Sequence, residues 1–270
     1  MCATDYVLGT HEEEIERLGL QHRIWRPLML DAWTRAGLTA GSRVVDFGAG
    51  PGYAALDAAE IAGVRGEVTA IERSPDFLDF ARRQFKSRGI SWGRFVQADL
   101  DTDETALTGF DLAWCRWVAS FVSSPEKLIH RIAASLRRGG KAVLHEYQNY
   151  ATWRVIPHSG RLVKFVDEVM ASWRASGGEP NIVNELIPLL RPAGLRILDL
   201  RPLIFTIGPS HLTWAWPASF VAGGSKRLVD LGRISQTDAD ELQSEFQALE
   251  KDADAIMVTP LVVEIIAEKI

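Results

Sequence analysis

Residues 44–52 read VVDFGAGPG, in which an apolar run and an acidic side chain lead into three glycines at alternate positions. The apolar run predicts a buried strand, and the glycines open a helix. Glycine at such a turn lets the backbone approach a ligand closely. The spacing is Gly-x-Gly-x-Gly, and Tyr53 stands where the fingerprint of a dinucleotide-binding turn requires a small residue. The sequence therefore indicates a ligand-binding turn of another type, with a purely structural turn as the alternative.

From residue 43 onward, short β-branched runs alternate with amphipathic segments of helical length. Ser74-Pro75 and Ser124-Pro125 each place a capping hydroxyl before a proline and so mark two helix starts. This alternation predicts an α/β fold with a mostly parallel sheet and helices on both of its faces. The predicted strands span residues 43–47, 67–72, 94–98, 110–115, 141–146 and 195–200.

The C-terminal part changes character, since residues 201–252 read as helical and carry no convincing strand after Phe205. A β-rich stretch at 255–266 is split by Pro260 and is predicted to return to the edge of the sheet, where proline is tolerated. We expect a single domain spanning residues 1–270. Its core comprises about residues 40–146, 195–205 and 255–268, and a largely helical cap comprises residues 1–38, 147–190 and 203–252.

Charge and hydropathy restrict the partners of the chain. Its 30 basic and 35 acidic side chains give a formal net charge of -5, and no long basic run offers a surface for nucleic acid. No segment approaches the roughly 18 apolar residues that span a bilayer. The first residues lack the cationic start and apolar run of an export signal. We therefore expect a cytoplasmic protein that contacts neither nucleic acid nor membrane.

The two cysteines, Cys2 and Cys115, lie far apart and form no Cys-x-x-Cys spacing, so we predict neither a zinc site nor a disulfide framework. Four histidines share no metal-ligand spacing either: His22, His130, His158 and His211. We predict no metal site. Nine tryptophans are many for this length, and they indicate a thick aromatic core or a pocket for a flat or cationic ligand.

The segment around Gly48 resembles the first motif of the class I S-adenosylmethionine-dependent methyltransferases, which is an acidic residue followed by Gly-x-Gly-x-Gly after the first strand. Later segments resemble further motifs of this family in the same order: TAIE at 69–72, VQADL at 96–100, FDLAWCRW at 110–117 and LRRGGK at 136–141. The resemblance covers about residues 40–146. It implies a Rossmann-like sheet of seven strands, the last of them antiparallel, and S-adenosyl-L-methionine as the cofactor.

Seven residues that match these motifs are implied to contact the cofactor: Gly48, Ala49, Gly50, Glu72, Asp99, Leu100 and Arg116. In the family, the acid that corresponds to Glu72 binds both ribose hydroxyls, and the one that corresponds to Asp99 lies beside the adenine amino group. Arg116 either holds the carboxylate of the cofactor or pairs with a surface acid. The alternative interpretation of Glu72 and Asp99 is that they are solvated carboxylates at strand ends, without a contact to the cofactor. Asp46 is interpreted as a structural acceptor for amides of the glycine turn.

The segments that flank this core resemble the subgroup that methylates small metabolites, including quinone precursors and natural products. This resemblance implies a small-molecule methyl acceptor, and the aromatic composition indicates that the acceptor is largely apolar. The residues that we expect to line its pocket are Tyr6, Trp117 and Tyr150.

Ligands of such sheets lie beyond the carboxyl ends of the strands, where the fifth strand places His145, Glu146 and Tyr147. Strand alternation directs His145 and Tyr147 to one face and Glu146 to the other. We therefore expect His145 and Tyr147 to act as the base and the orienting group, as a hydroxyl acceptor benefits from a base. The alternative for His145 is a structural histidine.

Two other functions stay open at this point. One is a methyltransferase that acts on protein or RNA, which the acidic balance of the chain disfavours. The other is a non-catalytic protein that binds the cofactor without transferring its methyl group. The sequence is also compatible with a homo-oligomer.

Overall fold

The predicted alternation of strand and helix is present in the computed structural model, which describes residues 12–270. Its helices are α1 (Glu12–Ala36), α2 (Tyr53–Ala62), α3 (Pro75–Ser87), α4 (Pro125–Ser135), α5 (Gly160–Ala175), α6 (Val183–Leu190), α7 (Ala215–Asp230) and α8 (Gln236–Leu249). Its strands are β1 (Arg43–Phe47), β2 (Glu67–Glu72), β3 (Gly93–Gln97), β4 (Phe110–Arg116), β5 (Leu136–Asn149), β6 (Arg154–Ile156), β7 (Leu195–Leu203), β8 (Thr206–Ile207), β9 (Ile256–Val258) and β10 (Leu261–Lys269). Ser74 and Ser124 accept N–H bonds at the starts of α3 and α4, as their sequences predict.

The large sheet has the strand order β3-β2-β1-β4-β5-β10-β7. Strands β1 to β5 are parallel to one another, whereas β10 is antiparallel to both β5 and β7. This arrangement confirms the predicted α/β fold and its antiparallel last strand. Because the parallel strands end at the same edge, the turns that follow β1, β2, β3 and β4 lie together there.

Helices cover both faces of this sheet, as predicted. On one face, α1, α2 and α3 contribute buried side chains such as Trp33, Ala55 and Phe85 to a shared core with the sheet. On the other face, α4 and α6 contribute side chains such as Leu128 and Leu186. The sheet, together with its carboxyl edge, therefore lies between two layers of helices.

The final strand lies inside the sheet, so the prediction that residues 255–266 return to its edge is wrong. Ile265 of β10 lies opposite Leu144 of β5 and Leu200 of β7, and β7 is the edge strand. Val262 and Ile265 are fully buried, which suits a strand with a neighbour on each side. Pro260 precedes β10, so its missing N–H removes no hydrogen bond from this strand.

A second, three-stranded antiparallel sheet has the order β6-β9-β8. The sequence did not predict it, because strands of two or three residues are too short to show an alternating pattern. Val155, Ile207 and Met257 of this sheet pack in one buried cluster with side chains of α5 and α8, such as Phe165 and Leu242. Within residues 12–270, no helix has the length and apolar character that crossing a membrane requires.

The start of α8 provides a test of the local structure. The side chain of Ser235 accepts the N–H of Asp238 at 3.0 Å, and Asp238 accepts the N–H of Ser235 at 3.1 Å. Replacing Ser235 by alanine should lower the free energy of unfolding by about 0.5–2 kcal/mol in urea denaturation. Ser244→Ala on the same helix is the control, since its hydroxyl bonds only to the helix backbone. An equal loss in both variants would contradict the capping role.

Candidate active site

A cleft of about 1090 Å³, including its open mouth, lies at the carboxyl ends of the parallel strands. We refer to it as the glycine-loop cleft, after residues 48–51 that form one wall. The structure brings all seven residues with a predicted cofactor role to this cleft: Gly48, Ala49, Gly50, Glu72, Asp99, Leu100 and Arg116. The residues come from four different strand ends, so only the fold places them together.

The glycine turn needs its glycines for conformation and for space. Gly48, Gly50 and Gly52 have φ values of 68°, 55° and 80°, in the left-handed region that side chains disfavour. A Cβ atom at Gly48 would also lie 2.4 Å from Cγ2 of Val118, and one at Gly52 would lie 2.6 Å from Cβ of Ala81. The turn therefore lies tight against its neighbours, while the Cβ position of Gly50 meets no atom within 4 Å.

Glu72 joins the end of β2 to the glycine turn. One carboxylate oxygen accepts the N–H of Gly50 at 2.9 Å, and the other accepts the N–H of Ser74 at 2.9 Å. Burial raises the pKa of Glu72, although these two N–H bonds oppose the shift. Backbone N–H groups thus fix the carboxylate in the cleft.

Asp99 and Leu100 lie in a tight turn after β3. The Asp99 carboxylate accepts the N–H of Asp101 at 2.9 Å, and the Asp99 N–H donates to the carboxylate of Asp103 at 2.9 Å. Asp101 in turn accepts the N–H of Ser123 at 2.7 Å. These bonds hold the backbone of the turn against the cleft.

Two side chains of opposite charge, Asp46 and Arg116, lie near each other at the inner end of the cleft, where they are partly buried. Burial raises the pKa of Asp46 to about 7, although nearby Arg116 opposes the shift. Burial lowers the pKa of Arg116 to about 10, and Asp46 opposes that shift. Oδ2 of Asp46 and Nη1 of Arg116 are buried without a hydrogen-bond partner among the described residues. The Asp46 carboxylate accepts an N–H from Ala55 in α2.

The raised pKa of Asp46 predicts a pH-dependent stability. Between pH 3.8, its ordinary pKa, and about 7, the folded protein holds a proton that the unfolded chain has released. This contribution favours folding at low pH and is lost as the pH rises through 7. The stability of the Asp46→Asn variant relative to the unmodified protein should therefore rise from about pH 4 to about pH 7, by at most about 1.4 kcal/mol per pH unit, and level off above that pH. A difference in melting temperature that does not vary with pH would contradict this.

A histidine that the sequence analysis did not single out as functional also lines the cleft. Nε2 of His22 lies 3.0 Å from Oδ2 of Asp57, to which Nε of Arg26 donates at 2.7 Å. Nδ1 of His22 lies 3.4 Å from Nη2 of Arg116, and its ring stacks on Tyr53. Burial lowers the pKa of His22, so the ring is neutral at pH 7. Nothing in the sequence links α1 to Asp57, because this contact forms only when α1 packs on α2.

His145 lies away from the cleft, contrary to the expectation that it serves as a base. It is fully buried, and its Nε2 lies 3.0 Å from Glu264 of β10, which also pairs with Arg35 of α1. The rings of Trp25 and Trp114 pack on it. The physical reason is that β5 continues to Asn149, so residue 145 is inside the sheet and not at its end.

A second cavity of about 630 Å³ adjoins the first, and we refer to it as the aromatic cavity. Eight of its twelve lining residues are aromatic, and they include the predicted residues Trp117, Tyr147 and Tyr150. Gln21, Trp117 and Phe121 line both cavities. Tyr6, also expected at the acceptor pocket, lies outside the described residues.

Trp117 forms part of the boundary between the two cavities. Its φ of 53° is left-handed, the only positive value for a residue other than glycine within residues 12–270. Its N–H donates to the carbonyl of His145 at 3.0 Å. Its ring stacks on Tyr147 and on Trp216, with centroids 5.7 Å away in each case. No local pattern in the sequence predicts this strained conformation, which tertiary contacts maintain.

Glu146 fixes the residues that follow Trp117. Its buried carboxylate accepts the N–H groups of Val118 and Ala119 at 2.8 and 2.9 Å. Burial raises the pKa of Glu146 to about 7, and these bonds oppose the shift. Glu146 lines neither cavity, so its contribution is to hold the loop that lies between β4 and α4.

Residues 44–140 match a family model described as a methyltransferase domain. Residues 44–140 form a class I S-adenosylmethionine-dependent methyltransferase domain. The match begins in β1 and ends in β5, so it includes the glycine turn, Glu72, Asp99 and Arg116. The recognition made from the sequence is confirmed, and so is the cofactor, S-adenosyl-L-methionine.

Known methyltransferases are similar to this one over most or part of its length. The ubiquinone biosynthesis O-methyltransferase of Xanthomonas axonopodis pv. citri (strain 306) is 26% identical over 212 residues, which cover 72% of this chain and 85% of that protein. The ubiquinone/menaquinone biosynthesis C-methyltransferase UbiE of Pseudomonas putida is 25% identical over 130 residues, which cover 48% of this chain and 50% of that protein.

A solved structure supports the fold assignment. The geranyl diphosphate C-methyltransferase from Streptomyces coelicolor A3(2), in complex with Mg2+, geranyl diphosphate and S-adenosyl-L-homocysteine, superposes with a TM-score of 0.58. Its sequence identity is 15%, and the alignment covers 96% of this chain and 86% of that one. At this identity the likeness concerns the fold of the methyltransferase. Among the described residues, no group of three or more His, Cys, Asp or Glu side chains could hold a metal ion.

Proposed function

We propose that this methyltransferase acts on a small, largely apolar metabolite or natural-product intermediate that binds in the aromatic cavity. The observation that carries the proposal is the shared boundary: Gln21, Trp117 and Phe121 line both the glycine-loop cleft and the aromatic cavity. A methyl group can therefore pass from one cavity to the other over a short distance. The two similar proteins involved in quinone biosynthesis support a small-molecule acceptor.

The cofactor would bind in the glycine-loop cleft. We assign its ribose hydroxyls to the carboxylate of Glu72, because this carboxylate lines the cleft and backbone N–H groups hold it in place. Asp99 and Leu100 would lie at the adenine. Nη1 of Arg116, which has no partner among the described residues, would donate to the cofactor carboxylate. These assignments place the methionine portion next to Trp117, since Arg116 is its neighbour in the chain.

Positioning would supply most of the catalysis. When bound, S-adenosyl-L-methionine supplies an electrophilic methyl group on a positively charged sulfur. Trp117 and Phe121 would exclude water at the boundary where the transfer occurs, and Tyr147 and Tyr150 would orient the acceptor. Correct alignment of two reactants can lower a barrier by about 7–11 kcal/mol. His145 has no part in this mechanism, because it contacts neither cavity.

The proposal is tested with cofactor that carries a labelled methyl group and a fractionated extract of the host. We expect label to enter molecules of low mass that extract into organic solvent. Label in protein or RNA would contradict the proposal and favour a modifier of macromolecules. Absence of label in every fraction, with intact cofactor binding, would favour a non-catalytic protein. The Glu72→Ala variant serves as the control for transfer by other enzymes.

A further inference from the structure

Within residues 12–270, the lining of the aromatic cavity carries no group that readily accepts a proton from an acceptor. Its lining residues within 12–270 include no carboxylate and no imidazole. Among the described lining residues, Arg17 is the only ionised side chain, and it donates to both carboxylate oxygens of Glu14 at 2.7 and 2.6 Å. Burial raises the pKa of Tyr150 further above its ordinary value, so this phenol stays protonated. A hydroxyl acceptor, which benefits from a base, therefore fits this cavity poorly.

The histidine of the neighbouring glycine-loop cleft does not supply the missing base. Both ring nitrogens of His22 are engaged, Nε2 with Asp57 and Nδ1 with Arg116. The ring also stacks on Tyr53, which restricts its rotation. Neither the lining of the aromatic cavity nor His22 therefore offers a proton acceptor, which favours a nucleophile that attacks without giving a proton to this chain.

The rings of the aromatic cavity form a connected wall. Trp117 stacks between Tyr147 and Trp216, and Trp173 contacts Tyr147 at 6.0 Å and Tyr150 at 5.1 Å between centroids. Aromatic rings attract a positive charge through their quadrupole, and the attraction is strongest where water is excluded. Such a wall stabilises an acceptor that becomes positively charged as it receives the methyl group.

We propose that the acceptor atom is an amine nitrogen, bound as the uncharged base and converted to an ammonium. This inference rests on the proposed function and names its substrate class. The nitrogen lone pair forms the new bond to the methyl carbon, and the carbon–sulfur bond breaks with its electron pair left on sulfur. The positive charge moves from sulfur to nitrogen, and no proton is transferred. Burial without a carboxylate favours the uncharged amine before the reaction, and the rings stabilise the charge that forms.

Three probes of matched shape test this inference by calorimetry in the presence of saturating S-adenosyl-L-homocysteine. Choline carries the quaternary nitrogen, 3,3-dimethylbutan-1-ol replaces that nitrogen with carbon, and 3,3-dimethylbutanoate carries a negative charge. We expect choline to bind about tenfold more tightly than the alcohol. Equal binding of choline and the alcohol would overturn the amine assignment and leave the acceptor cavity in place. Tightest binding of the butanoate would overturn it in favour of an anion held by Arg17.

The same experiment separates this inference from the proposed function. If S-adenosyl-L-homocysteine binds and none of the three probes does, both the amine assignment and the acceptor site are wrong. If S-adenosyl-L-homocysteine itself does not bind, the failure lies in the cofactor site.

Two substitutions at Trp173 distinguish ring chemistry from shape. Trp173→Phe keeps an aromatic ring at the cavity wall, whereas Trp173→Leu keeps only apolar volume. We expect choline affinity to fall several-fold more in the leucine variant than in the phenylalanine variant, with the affinity for the alcohol similar in both. Equal losses for choline and the alcohol would contradict a cationic site. Melting curves verify that each variant is folded. The comparison of the three probes on the unmodified protein tests the inference even if the variants do not fold.

Discussion

Replacing Glu72 by alanine is expected to raise the dissociation constant for S-adenosyl-L-homocysteine by about 10²- to 10⁴-fold. The proposed contact consists of two hydrogen bonds to a carboxylate, each worth about 1.5–3 kcal/mol. The substitution also removes the acceptor of the Gly50 N–H at 2.9 Å, so the glycine turn loses its link to β2. Calorimetric titration measures the effect, and melting curves measure whether the variant is folded.

Glu67→Ala is the matched control, because it makes the same chemical change at the other end of the same strand. Glu67 pairs with Arg43 at 3.1 Å, far from the glycine turn, and does not line the cleft. Its loss should leave the dissociation constant within about twofold, since exposed ion pairs contribute little. An unchanged affinity in Glu72→Ala would make Glu72 a structural carboxylate that serves only Gly50 and Ser74.

Replacing Arg116 by glutamine is expected to remove the preference for ligands that carry the amino-acid portion of the cofactor. S-adenosyl-L-homocysteine has a carboxylate for Nη1 of Arg116, whereas 5′-methylthioadenosine lacks this portion. A charge-assisted hydrogen bond of about 1.5–3 kcal/mol corresponds to a preference of about 10- to 100-fold. In Arg116→Gln the two ligands should bind with similar affinity, while Glu72→Ala should weaken both of them.

Arg73→Gln provides the control for this second prediction. Arg73 lines the same cleft beside Glu72, at the end that we assign to the ribose. Its replacement should leave the preference between the two ligands intact. If Arg116→Gln weakened both ligands equally, Arg116 would instead serve the structure through Asp46 and His22, whose side chains lie beside it.

The site features that could be predicted from the sequence are those that depend on a local pattern of residues. The glycine turn, the acid at Glu72 and the turn at Asp99 follow single strands at fixed distances, so their positions could be read directly. The order of the strands then brings them to one edge. A motif of this kind includes both the strand and the turn that position its residues.

Other features depend on contacts between distant segments, which no local pattern encodes. The place of β10 inside the sheet depends on pairing with both β5 and β7. The burial of His145 depends on α1 and on Glu264, which is 119 positions away. Strand alternation predicted that His145 and Tyr147 lie on one face of the sheet. Because β5 extends to Asn149, only Tyr147 lines a cavity. The aromatic cavity likewise forms only when six separate segments of the chain meet.

A crystal structure of this methyltransferase with S-adenosyl-L-homocysteine tests the placement of the cofactor and the acceptor most directly. We predict ribose hydroxyls within hydrogen-bond distance of Glu72 and the ligand carboxylate at Nη1 of Arg116. The sulfur should face the boundary at Trp117 and Phe121, from which the aromatic cavity opens. A ligand bound in the reverse direction, with its adenine at Trp117, or a ligand outside the glycine-loop cleft, would contradict this placement.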